Sequence, residues 1–142
     1  MNDPGLRRIH ERLEERWRQR GYDGLLPEEQ AFIVLWWLRA EVENGGFHQY
    51  FFNSSGDVAP EALLALESLN AVESARLLRD AIGLLDLSAG YVKDNEARRK
   101  HLRGLTEAIT RFDGVTDRFY ELTEDFVEMA LARVGRAYTG QR

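Results

Sequence analysis

The run Ala31-Phe32-Ile33-Val34-Leu35-Trp36-Trp37-Leu38 constrains the fold of this chain more than any other stretch. Pro27 stands ahead of it, followed by Glu28 and Glu29. Proline suits the first turn of a helix, and acids there complement the positive end of its dipole. The run is therefore predicted to lie in a helix from Pro27 to about Asn44. A helix that is apolar on every side is ordinarily a central one, covered by neighbours all round. The alternative is that one of its faces makes a subunit interface. The run is far shorter than the roughly 20 residues needed to cross a bilayer.

Apolar residues recur elsewhere at helical spacing, without the two-residue alternation of a strand. Leu6, Ile9, Leu13 and Trp17 mark a first helix that ends before Gly21. Asn44-Gly45-Gly46 accepts the left-handed backbone that stops a helix. Phe47, Tyr50 and Phe51 then share one face of a short aromatic helix. Asn53 to Asp57 is a turn cluster, and Pro60 opens a helix carrying Leu63, Leu64 and Leu66. Val72, Ala75, Leu78, Ile82 and Leu85 mark the next helix, and Ser88 to Lys93 a loop. Asp94 or Asn95 caps a helix expected to carry Leu102, Leu105 and Ile109 and to break at Asp113-Gly114. One long final helix is expected to bear Phe119, Leu122, Phe126 and Met129 and to end near Tyr138. The expected architecture is all-α: a single-domain helical bundle spanning residues 1–142, with about six longer helices plus the short aromatic one. A chain of 142 residues buries enough surface for one core.

Without cysteine, the chain has no disulfide, thiol nucleophile or cysteine-ligated zinc, which fits a reducing compartment. No apolar stretch follows Met1-Asn2-Asp3-Pro4, so no signal peptide is expected and a cytoplasmic location is the default. The net charge of -5 is unevenly spread. Arg7, Arg8, Arg12, Arg16, Arg18 and Arg20 make the N-terminal segment basic. Acids predominate from Glu107 to Glu128.

The three histidines, His10, His48 and His101, lack the spacing of a helical zinc site, so no metal or cofactor is expected. Ser54-Ser55-Gly56 reads as turn chemistry rather than a nucleophile. The double glycine lacks the spacing of a phosphate loop and is read as a close approach to a bulky ring such as Trp36, Trp37 or Phe47. Arg8, Arg12 and Arg16 recur at i+4, but Glu11, Glu14 and Glu15 interleave with them. Such a mixed face forms ion pairs, and direct nucleic-acid binding is not expected. Asp113, Asp117, Glu121, Glu124, Asp125 and Glu128 recur at spacings of three and four, with Glu107 before them. On one helix these acids form an overlapping stripe that only Arg118 interrupts. A strand of DNA repeats its charge about every 3.4 Å, against roughly 6 Å for an i+4 step. Imitating a phosphate row would thus take acids from several elements, or from two copies of the chain.

The segment Glu43-Asn44-Gly45-Gly46-Phe47-His48-Gln49-Tyr50-Phe51-Phe52-Asn53-Ser54-Ser55-Gly56-Asp57 resembles the signature of a bacterial family that includes the C-terminal domain of a DMP-type DNA-mimic protein. The resemblance continues through Ala62-Leu63 and Ala65-Leu66, returns at Phe112-Asp113 and Asp117-Arg118-Phe119-Tyr120-Glu121-Leu122, and covers roughly Leu25 to Tyr138. The chain differs at Ser68-Leu69-Asn70-Ala71, where relatives tend to have a glycine. Asn70 can take that glycine's place at a helix end. His48 stands where relatives often carry an acid. The resemblance implies an all-helical fold, dimerisation and, for the DNA-mimic member, acidic surfaces that occupy the DNA-binding site of a regulatory protein.

Two functional readings follow. In the first, the chain is a non-enzymatic interaction domain whose acidic ridge, Glu107 to Glu128, meets a basic partner such as a DNA-binding regulator. Gly45, Gly46, Phe47 and Phe51 are then structural. In the second, Glu43, Asn44, His48, Tyr50 and Asp57 converge in a polar pocket of an enzyme or small-ligand protein.

Overall fold

The computed structural model describes residues 3–140; the ends of the chain, residues 1–2 and 141–142, lie outside. Phe32, Ile33, Val34, Leu35 and Leu38 are all buried. They belong to α2 (Pro27–Phe52), and α3 (Ala59–Ser68), α5 (Asn95–Arg103), α6 (Asp113–Tyr120) and α7 (Phe126–Tyr138) pack against it. The remaining helices, α1 (Pro4–Arg20) and α4 (Val72–Gly83), form an outer layer, α1 on α7 and α4 on α3 and α6. Single 3₁₀ turns occur at Tyr22–Gly24 and Ser54–Val58. The described residues hold seven helices and no strand, the all-α bundle that the periodicity predicts. The apolar run is a central helix because neighbours cover it; even Trp36 and Trp37 are half-buried, against His10 and Phe32 and against Trp17 and Tyr22.

Glu29 ties three helices together from inside α2, with no exposed surface. Arg16 of α1 donates to it from Nε and Nη2 at 2.6 and 3.0 Å. The Tyr138 hydroxyl of α7 donates at 2.6 Å, and the Leu26 N–H at 2.8 Å. Burial disfavours the carboxylate, but these four donors together outweigh burial and hold its pKa below the ordinary value.

Three expectations change. The aromatic segment is not separate: it continues α2 through a kink at Gly45 (φ -158°, ψ 19°) and Gly46 (φ 76°, ψ -178°). The helix after Asp94 ends at Arg103, and turns lead on to Phe112. Ile109 therefore points outward, 79% exposed, rather than lying on a helix's apolar face. The long final helix is in fact two, α6 and α7, broken over residues 121–125. Asn70, by contrast, adopts the left-handed conformation expected of it (φ 58°), and the next N–H bonds back to Leu66 O at 3.0 Å.

Candidate functional site

The two sequence elements that carry the resemblance meet in space at the kink of α2. Gly46 exposes the first N–H groups of the aromatic half, and Phe47 N–H donates to Thr116 Oγ1 at 3.0 Å. The Tyr120 hydroxyl donates toward the last carbonyls of the preceding half, Val42 O at 3.1 Å and Glu43 O at 3.2 Å. One turn of α6 thus caps both helix ends created by the glycines. A side chain at Gly46 would need positive φ, and its Cβ would lie 3.0 Å from Thr116 Oγ1. The close neighbour is this threonine, not the expected ring. Below the kink, Glu41 accepts from Gln49 at 2.8 Å and from Asn53 at 3.1 Å. Phe47 and Phe51 are buried, stacked on each other and packed on Phe119 and Phe112.

The turn that follows is organised by a residue the sequence did not single out. Arg98 of α5 is fully buried. It donates to Phe51 O at 2.6 Å, Asn53 O at 2.9 Å, Val92 O at 3.0 Å and Lys93 O at 3.1 Å, and to Asp57 Oδ1 at 2.8 Å. Gly56 makes room for this, because a Cβ there would sit 2.5 Å from Tyr50 O and 3.1 Å from Arg98 Nη2.

The five residues of the polar-pocket reading do not converge. Tyr50 is in the core, with no exposed surface and no partner for its hydroxyl. Asp57 is engaged by Arg98. His48 is half-buried, stacked on Phe52 and edge-on to Phe112. Asn44 is exposed beside the kink. Of the five, Glu43 lines a cavity of about 340 Å³ between α2 and the α6–α7 break, which Arg39, Tyr120, Glu124 and Asp125 also line. No group of three or more His, Asp or Glu side chains among the described residues is placed to hold a metal.

The break between α6 and α7 divides the acidic stripe. Glu124 lies in the connection and supplies the N-terminal cap that α4 lacks. It accepts from Ser74 N–H and Oγ, each at 2.7 Å, and from Glu73 N–H at 3.3 Å. Burial works against its charge, and these donors overcome burial to lower its pKa. Asp125 caps α7, accepting from Glu128 N–H at 3.0 Å, and pairs with Arg39 at 3.3 Å. Glu128 is half-buried in the first turn of α7, and Glu107 is exposed in the turns before α6. Asp113, Asp117 and Glu121 keep the i, i+4, i+8 spacing along α6 and its C-cap. All three are exposed, and their carboxylates meet no cation among the described residues. Arg118, the one interrupting cation, turns to Asp80 at 3.0 Å.

Residues 23–136 match the family described as DMP19-like protein. The chain belongs to that family. No curated protein and no solved structure matched it. The DMP19-like match takes in the α2 kink, Arg98, α6 and nearly all of α7; α1 lies outside it. No helix among the described residues is long and apolar enough to cross a membrane.

Proposed function

We propose that this DMP19-like protein is a non-enzymatic interaction domain that presents the acidic face of α6 to a basic partner, a DNA-binding regulator. The observation that carries this reading is the row Asp113, Asp117, Glu121, exposed and unneutralised. Like charges at i+4 cost a few tenths of a kcal/mol per pair. Glu121 also sits at the negative end of the α6 dipole, where an acid is unfavourable. The dipole favours only Asp113, in the first turn of α6, whereas a cationic partner would offset the charge of all three. Glu107, in the turns before α6, and Glu128, in the first turn of α7, add negative charge before and after it in the chain, and Glu124 and Asp125 do so while serving as caps. Acids of a second copy, set beside this row, would be needed to approach the closer charge repeat of a phosphate backbone. The setting that fits such a partner is the cytoplasm.

Affinity capture from native lysate at two salt concentrations tests the reading. The expected result is a basic partner that is lost at high salt, because screening acts on exposed charges, and that duplex DNA displaces. A partner that is neither basic nor salt-sensitive would overturn it.

A further inference from the structure

A second surface has the opposite charge. α1 and the C-terminal part of α7 flank an open groove of about 600 Å³. Its floor is apolar: Leu6 and Ile9 from α1 and Ala132 from α7. The Ile9 side chain packs onto Gly135 at the base, where a Cβ would lie 2.6 Å from Ile9 Cδ1.

Three arginines, Arg8, Arg12 and Arg136, line the same groove. None forms an ion pair with a carboxylate among the described residues. Arg12 is held in place: its guanidinium lies 4.2 Å from the centre of the Tyr138 ring, and that ring is fixed by its hydroxyl on buried Glu29. The one acid in the lining, Asp3, is occupied, because its Oδ1 accepts from Gly5 and Leu6 N–H at 2.7 and 3.2 Å. Three exposed arginines without a carboxylate partner, around an apolar floor, suit an anionic group carried on an apolar body. A bare inorganic anion would leave the floor wet, and a neutral alkane would leave the arginines unanswered.

We propose that this groove binds a single-chain amphiphile with a carboxylate head, its acyl chain on Leu6, Ile9 and Ala132 and its head among Arg8, Arg12 and Arg136. The site depends on α1, which lies outside the residues matched to the family. It shares no lining residue with the acidic face of α6.

Calorimetric titration of the full chain with dodecanoate, below its micelle concentration, tests the proposal. Dodecanol and dodecyltrimethylammonium serve as head-group controls. The expected result is saturable one-to-one binding of dodecanoate, with both controls weaker by about tenfold or more. R8E/R136E leaves the Arg12–Tyr138 contact intact and is expected to weaken dodecanoate by about tenfold at an unchanged thermal midpoint. A132W, which fills the floor and keeps every charge, is expected to block binding, while D113N/D117N/E121Q leaves it unaltered. Absence of saturable binding, equal affinity for dodecanol, or undiminished binding by R8E/R136E and A132W would each overturn the proposal. So would an acidic amphipathic peptide that occupies the groove when dodecanoate does not.

Discussion

Arg98 illustrates what a single residue contributes here. Its buried guanidinium satisfies four backbone carbonyls, from the end of α2 and the segment before α5, and one partly exposed carboxylate. Removing it leaves these acceptors and Asp57 uncompensated, and Arg98→Ala is expected to lose about 3–5 kcal/mol in urea denaturation. Tyr50→Phe should behave in the opposite way. The Tyr50 hydroxyl is buried without a partner, so deleting it is expected to be neutral or to gain up to about 1 kcal/mol. A loss of several kcal/mol would show that the hydroxyl has a partner after all. Neither role was legible in the sequence. Arg98 stands in Arg98-Arg99-Lys100, inside the helix expected after Asp94, and burial of a cation there depends on carbonyls distant in the chain. The aromatic spacing did place Phe47, Tyr50 and Phe51 on one face, and all three are in the core.

Among the elements, the kink in α2 is set by its partner α6. Thr116→Val keeps the shape of the side chain and removes the acceptor of Phe47 N–H. It is expected to cost about 1 kcal/mol by chemical denaturation, the value of a helix cap. Gly46→Ala should cost more, since it adds positive-φ strain to a contact with Thr116. The glycines announced a helix stop in the sequence, but not that the chain would resume as a helix in nearly the same element. The missed break between α6 and α7 has a different cause. Phe119, Leu122, Phe126 and Met129 keep helical period across it, so periodicity carries no sign of an interruption. The local signal was Asp125 three residues before Glu128, a helix-start pattern, and it was read instead as part of the acidic stripe. Ile109 was misplaced for the same reason, an apolar residue in phase with a helix that Gly104 had already ended.

At the scale of the whole molecule, the pH dependence of stability follows from the groups that bind three helices or cap one. Glu29 and Glu124 have pKa values held below the ordinary 4.5. Their contribution is complete above that value and is lost as pH falls through the lowered folded pKa. Tyr138 and Tyr91 are shifted the other way from 10.0, mainly by burial. Their contribution is complete below that value and is lost as pH rises through the raised folded pKa. The thermal midpoint should therefore be flat between about pH 5 and pH 9 and fall on both sides; a rise in stability toward acid would contradict these assignments. The all-α class, the central position of α2 and the bundle as a whole were legible because period and apolar content are local properties. The proposed surface was legible only in part. The sequence supplied the acids, but the folded chain assigns Glu124 and Asp125 to helix ends and leaves Asp113, Asp117 and Glu121 free.

The most direct measurement compares three proteins by titration against the captured basic partner across a range of salt: the unaltered chain, D113N/D117N/E121Q and H48A. The triple variant is expected to fold with a thermal midpoint at or slightly above that of the unaltered chain, to bind about tenfold or more weakly at low salt, and to lose most of the salt dependence. H48A is expected to bind as the unaltered chain does. Undiminished, salt-dependent binding by the triple variant, with binding abolished in H48A, would contradict a functional role for the acidic face of α6 and place the partner's contact at the kink of α2.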